Sequence, residues 1–110
     1  MAIRLTKRWQ PLTSEAIATL PGQLGVFELA DDLGRVLYIG YAGGRSLFGL
    51  RSEVAQARGR APDARRFRTE VTMQYLTRHQ ELLMLHVADH GAVPDGNRGE
   101  ERRLGRLSPL

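Results

Sequence analysis

The sequence has no cysteine and no long apolar run, and these two absences exclude several kinds of protein. Without cysteine, the chain forms no disulfide and no thiolate metal site. No apolar stretch approaches the roughly 20 residues that a membrane-spanning helix needs. The first residues, MAIRLTKRWQPLTSE, also lack the apolar segment of a signal peptide. We therefore expect a cytoplasmic protein with no membrane partner.

Lysine is almost absent as well, since fifteen of the 16 basic residues are arginine. The formal net charge of +4 permits binding to nucleic acid without requiring it. At 110 residues and 12.3 kDa, the chain suits one small domain, 1–110, with a single core. Within that domain, the basic segment 1–12 is either a flexible arm or a segment whose Trp9 packs on the core.

The rest of the predicted fold is arranged around the stretch 25–40, GVFELADDLGRVLYIG. Two short apolar runs, rich in β-branched and aromatic residues, flank a middle part that contains two aspartates and Gly34. This pattern predicts a β-hairpin whose loop uses the ability of Gly34 to adopt a positive φ. The pairing is expected to bring the triplets Gly25-Val26-Phe27 and Tyr38-Ile39-Gly40 side by side.

Periodicity in the remaining chain predicts three helices and one more strand. The predicted elements are helices at 15–20, 47–58 and 78–90 and an alternating strand at 67–75. Ser46 is the expected N-cap of the second helix, Thr77 opens a capping box for the third, and Gly91 ends it. We therefore expect an α+β fold with a small three-stranded antiparallel sheet flanked by helices.

A basic loop at 58–68, RGRAPDARRFR, joins the second helix to the predicted strand and contains five arginines. Two interpretations remain open for it. It is either a solvated connection or a strip that contacts phosphates through Arg60, Arg65 and Arg66.

Glu81 is the only carboxylate in the first three turns of the last predicted helix. It shares a row with Leu85 and Ala88 that we expect to face the sheet, and a carboxylate beside a buried row needs a charged partner or a metal. The alternative is an exposed glutamate that complements the helix dipole. Three histidines of this helix are expected to be surface or packing residues: His79, His86 and His90.

The two triplets of the hairpin resemble the signature of the GIY-YIG nuclease superfamily. The chain has Gly25-Val26-Phe27 where the family has Gly-Ile-Tyr, then ten residues at 28–37, and then Tyr38-Ile39-Gly40 intact. An apolar hairpin with terminal glycines is common, so the downstream residues carry the rest of the resemblance.

Three downstream residues match further positions of the family. Its members show an arginine in the helix after the second triplet, a glutamate early in a later apolar helix, and an asparagine close after a proline. Arg51, Glu81 and Asn97 stand at these positions. The resemblance thus covers 25–97 and implies a GIY-YIG endonuclease-like fold.

The resemblance implies a metal-dependent endonuclease that hydrolyses phosphodiester bonds in DNA, with Tyr38, Arg51 and Glu81 as catalytic residues. Glu81 would hold Mg²⁺ or Mn²⁺, because Mg²⁺ commonly uses one or two carboxylates plus phosphate oxygens. Arg51 would bind the phosphate through its planar guanidinium, and Arg45 is a competing candidate for this role. The residues expected to contact substrate are Gly40, Arg45, Arg60, Arg65, Arg66 and Asn97.

Departures from the family pattern favour an alternative function. Phe27 stands where the family has a tyrosine, and Ala55 stands one turn after Arg51, where many relatives have His or Tyr. Asn97 could also tie the last loop to the sheet instead of contacting substrate. The alternative is a catalytically degenerate GIY-YIG module that binds nucleic acid or a protein without cleavage. At this size, sequence-specific cutting would need a homodimer or a partner that supplies the specificity.

Overall fold

The computed structural model describes residues 3–99, and the predicted hairpin lies at the centre of the sheet. Strand β2 is Gly25–Ala30 and strand β3 is Val36–Ala42. They pair antiparallel, and Gly34 in the connecting turn has a φ of 83°. The carboxylate of Asp31 shapes this turn by accepting hydrogen bonds from two backbone N–H groups, at 3.0 and 2.9 Å. The hairpin prediction is confirmed.

Two more strands complete a four-stranded antiparallel sheet with the order β1-β4-β2-β3. Strand β4 is Arg66–Val71, and strand β1 is Gln10–Pro11. The α+β class is confirmed, but the prediction of three strands is wrong. The sequence does not reveal β1 because a two-residue edge strand that includes proline has no alternation to detect.

The predicted strand at 67–75 ends four residues early, at Val71. Val71 pairs with Gly25, the first residue of β2, so the chain beyond Val71 has no partner strand. Residues 72–74 form a bend instead. In it, the backbone N–H of Gln74 donates a hydrogen bond to the hydroxyl of Thr72. Tyr75 consequently begins the last helix, although the alternation of the sequence continues through it.

Three helices pack on the two faces of this sheet. Helix α1, Ser14–Ala18, and helix α2, Leu50–Ala57, share a buried cluster with Phe27. Helix α3, Tyr75–His90, shares a second cluster with Val26. Neighbouring residues of a strand point to opposite faces, so the two clusters lie on opposite sides of the sheet. We call these sides the α2 face and the α3 face.

The helix ends correct two of the predicted caps. Ser46 does not cap α2, which begins after Gly49 (φ 58°); its Oγ donates a hydrogen bond to Glu53 Oε2 at 2.6 Å. The Thr77 capping box is also wrong, because α3 begins before it. Gly91 ends α3 in the left-handed conformation, with a φ of 84°, as predicted. Within residues 3–99, no helix is long and apolar enough to cross a membrane.

The N-terminal segment packs on the α3 face from residue 3 onward. Leu5 is buried there, and Trp9 lies over Arg68, whose Cζ is 4.0 Å from the centre of the indole ring. Backbone carbonyls of the segment accept hydrogen bonds from Arg68 and Arg78. Leu5 thus joins the buried cluster of the α3 face, whereas Trp9 lies on Arg68 outside both clusters.

Candidate nucleic-acid interface

Arg51, the predicted phosphate ligand, is an exposed residue of α2. Its Nε donates a hydrogen bond to the carbonyl of Leu20 at 3.0 Å, which holds the guanidinium beside α1. Arg58 follows seven residues later, about two helical turns along the same side. Both arginines line a groove of about 340 Å³ between α1 and α2.

Tyr38 lies on β3 and packs against the cluster of the α2 face, with its ring centre 6.0 Å from that of Phe27. The Cζ atom of Arg60 is 5.8 Å from the centre of the Tyr38 ring, within the range of a cation–π contact. The α2 face therefore carries Tyr38 together with Arg51 and Arg60.

Glu81 belongs to the helix on the α3 face, so the structure does not bring the predicted catalytic trio together. Its carboxylate accepts a hydrogen bond from Nη1 of Arg78, whose Nε and Nη2 bind Glu70 at 2.8 and 3.2 Å. Hydrogen bonds to Glu70 and Glu81 raise the pKa of Arg78 above its usual value, although burial lowers it. Leu82 and Leu83 face the sheet, so the prediction that the Glu81 row does so is wrong.

The surroundings of Glu81 do not fit the predicted Mg²⁺ or Mn²⁺ ion. A divalent cation bound to this carboxylate would lie beside the guanidinium of Arg78, and like charges repel strongly at such distances. Within residues 3–99, no group of three His, Cys, Asp or Glu side chains could hold a metal. A metal at Glu81 stays a prediction of the sequence that these contacts do not support.

Gly40, predicted to contact substrate, is buried under the ring of Phe27. A Cβ atom at Gly40 would lie 2.4 Å from Cζ of Phe27, so only glycine fits there. The expectation that the two triplets lie side by side is wrong, because Phe27 and Gly40 are their only paired residues and Gly25 is opposite Ala42. Packing within the hairpin is thus a sufficient reason for the glycine of the second triplet.

Asn97 is fully buried and bound to the outer edge of β3. Its Oδ1 accepts a hydrogen bond from the backbone N–H of Ile39, and its Nδ2 donates one to the carbonyl of Ile39, both at 2.8 Å. A side-chain amide that makes both bonds replaces a neighbouring strand at this point. The contacts of Asn97 therefore tie the last loop to the sheet, the second role that the sequence left open.

A run of five exposed arginines, which we call the arginine strip, extends from α2 to the first residue of β4. Its members are Arg51, Arg58, Arg60, Arg65 and Arg66. None of them forms an ion pair within residues 3–99, and neither does Arg45 in the loop after β3. The arginines that pair with a carboxylate are Arg4, Arg35, Arg68, Arg78 and Arg98. Arg8 in the N-terminal segment is likewise exposed and without an ion pair within residues 3–99, but the strip is the only run of several such arginines there.

Residues 3–89 match the model of a family described as a domain of unknown function, DUF7508. The chain belongs to this family. The match covers the whole sheet and Tyr38, Arg51 and Glu81, and it stops before Asn97. No curated protein matches the chain. The description of the DUF7508 family gives no activity, so the resemblance to GIY-YIG nucleases stays a prediction.

Sequence reasoning missed the buried ion pair of this DUF7508 domain. Glu28 and Arg68 are directly opposite in β2 and β4, and Nε and Nη2 of Arg68 lie 2.8 and 2.7 Å from Oε1 of Glu28. The Glu28 side chain is only 8% exposed, and burial raises its pKa above the usual value while Arg68 lowers it. The register of the sheet could have revealed this pair. Once β2 is paired with β4, the alternation of side chains along each strand places Glu28 and Arg68 on the α3 face.

Two histidines meet near the end of α3, one helical turn apart. The ring centres of His86 and His90 are 4.3 Å apart, and Nδ1 of His86 is 2.9 Å from the carbonyl oxygen of Ala92. Burial lowers the pKa of His86 and the charge of His90 adds to this, whereas the bond to Ala92 raises it. These contacts give His86 a packing role.

Proposed function

We propose that this chain is a nucleic-acid-binding domain with a GIY-YIG-like fold that contacts the backbone of duplex DNA through the arginine strip. The observation that carries this proposal is the run of exposed arginines in the strip. The carboxylates of the α3 face neutralise Arg68 and Arg78, whereas the five arginines of the strip are exposed and unpaired within residues 3–99. Such a cluster attracts phosphates and releases their counterions on binding.

Two guanidinium groups of the strip are already held in place by backbone carbonyls. Arg51 donates to Leu20, and Nη1 of Arg65 donates to Pro62 and Ala64 at 3.1 and 2.9 Å. An arginine held in this way loses less side-chain entropy when it binds a phosphate, and its remaining N–H groups stay available. This arrangement supports binding to the backbone rather than reading of bases.

Binding without cleavage is the better supported of the two functions that the sequence left open. Cleavage would need a carboxylate near Arg51 and Tyr38, but the predicted one, Glu81, is held by Arg78 on the other face. Phe27 also lacks the hydroxyl of the family tyrosine, and it is buried in the core. The α2 face thus has the cations for phosphate binding without the proposed metal ligand.

The test measures duplex DNA affinity by fluorescence anisotropy at several salt concentrations. Each phosphate neutralised contributes about −0.9 to the slope of log K against log salt, so replacing Arg58, Arg60 and Arg66 by Ala should flatten the slope by about 2.7. The control variant has Ala in place of three exposed arginines that lie outside the strip and form ion pairs: Arg4, Arg35 and Arg98. It removes the same net charge and should leave the slope nearly unchanged.

Equal slopes for the two triple variants would contradict the proposal, because net charge alone would then explain the binding. The same duplexes, and a supercoiled plasmid, should be intact after incubation with Mg²⁺ or Mn²⁺. Metal-dependent nicking that chelator abolishes would instead establish the endonuclease.

A further inference from the structure

An aromatic pair at the end of β3 lies outside the arginine strip and has no part in the proposed function. The rings of Tyr41 and Tyr75 are stacked, with centres 5.7 Å apart and an angle of 14° between their planes. Tyr41 also contacts His79, at 4.9 Å between ring centres. Tyr75 is half-buried against the cluster of the α3 face, and Tyr41 is the only ring within residues 3–99 that contacts it.

The loop after β3 contacts Tyr75 through its backbone. The hydroxyl of Tyr75 accepts a hydrogen bond from the backbone N–H of Gly44 at 3.2 Å. A Cβ atom at Gly43 would lie 2.7 Å from the Tyr75 ring, so the loop approaches the ring as closely as only glycine allows. A ring fixed by a hydrogen bond and by close packing can stack with a ligand at little cost in side-chain entropy.

A groove of about 300 Å³ opens beside the ring, lined by Tyr41, Gly43, Gly44, Arg45, Tyr75 and Leu76. This volume is at the lower limit of small-molecule sites, which suits one base and its sugar. Arg45 is exposed and makes no ion pair within residues 3–99, and no carboxylate of these residues lines the groove. Leu76 is 57% exposed and extends the apolar wall.

We propose that this groove binds one unpaired base of single-stranded nucleic acid, stacked on Tyr75, with Arg45 on the adjacent phosphate. An aromatic face next to an unpaired cation is the combination that binds single strands without sequence preference. The positive charge and the lack of a lining carboxylate select an anionic ligand. The proposal is independent of the arginine strip, since it concerns different residues and an unpaired strand.

The test compares two labelled oligomers of the same length and charge, a thymidine 12-mer and a 12-mer of abasic sites. Because they differ only in their bases, their affinity ratio isolates stacking from phosphate binding. The wild type should prefer the thymidine oligomer by about 5- to 150-fold. Tyr75→Leu should abolish this preference, whereas Tyr75→Phe, which keeps the ring and loses the bond to Gly44, should retain it to within about twofold.

Arg45→Ala provides a second variant in an exposed loop that does not threaten folding. It should weaken both oligomers and flatten the salt slope for single strands by about 0.7, the contribution of one phosphate. Equal affinity of the wild type for the two oligomers would overturn the proposal, as would an unchanged preference in a folded Tyr75→Leu protein. Duplex binding by the Arg58, Arg60 and Arg66 variant is a separate measurement, so the two proposals can fail independently.

Discussion

The α3 face and the arginine strip use the same amino acid in opposite ways, and two residues of β4 make the comparison direct. Arg66 and Arg68 are two positions apart, so their side chains leave the strand on the same side. Arg68 is 18% exposed, bound to Glu28 and covered by Trp9. Arg66 is exposed and has no ion pair within residues 3–99.

This difference follows from solvation. A buried guanidinium has lost its water and must keep its carboxylate, because an uncompensated charge in the interior costs several kcal/mol. An exposed guanidinium keeps its water and its charge, which leaves it available to a phosphate. We therefore expect substitutions on the α3 face to change stability, and substitutions in the strip to change binding.

The largest effect is expected from Arg68→Ala, which leaves Glu28 buried without its partner. We expect a loss of about 3–5 kcal/mol in the free energy of unfolding, measured by urea denaturation at pH 8. Because the pKa of Glu28 is already raised, its protonation at lower pH should relieve part of this loss. Arg66→Ala, the matched control, should change stability by less than about 0.5 kcal/mol and flatten the DNA salt slope by about 0.9.

A double variant sharpens this comparison. Replacing Glu28 and Arg68 together by Met removes both charges, so most of the lost stability should return. If Arg68→Ala and Arg66→Ala destabilised the protein equally, the division between a structural face and a binding strip would be untenable.

A smaller effect is expected from Glu81→Gln, which tests whether the α3 face has any catalytic role. Arg78 keeps Glu70 as a partner, so the loss of one partly exposed carboxylate should cost about 1 kcal/mol or less. Plasmid incubated with Mg²⁺ or Mn²⁺ should give the same result for the variant and the wild type. Nicking by the wild type that Glu81→Gln abolishes would show that Glu81 binds a metal after all.

The smallest effect concerns pH and His86. The pKa of His86 is lowered in the folded state, so below about pH 6.5 the unfolded chain binds more protons than the folded one. Stability should therefore fall as the pH decreases from 7.5 to 5.5, and thermal unfolding at several pH values measures this. The His86→Gln variant should show a smaller change of stability with pH. His90 is exposed and lies one turn later, and the His90→Gln variant should keep the change. If stability changed with pH equally in His86→Gln and in the wild type, another group would be responsible for the change.

Local sequence patterns determined the hairpin, the α+β class and the three helices, because each depends on neighbours in the chain. Gly34 and Gly91 take positive φ in the places where the sequence predicts a turn and a helix end. The arginines of the strip could also be found in advance, since charge and exposure go together in a loop rich in glycine, proline and aspartate. The sequence left open whether these arginines meet carboxylates.

Tertiary structure decided which residues meet. The pairing of backbone groups depends on where the neighbouring strand ends, and the contacts of a side chain depend on the face of the sheet on which it lies. The alternation through Tyr75 is real, but β2 begins opposite Val71, so no strand is left to pair with the residues that follow. Glu81 matched a family position by spacing, yet Arg78 and the opposite face of the sheet separate it from Arg51. Only the sheet register brings Glu28 to Arg68, whereas Arg66, two residues earlier on the same strand, has no ion pair within residues 3–99.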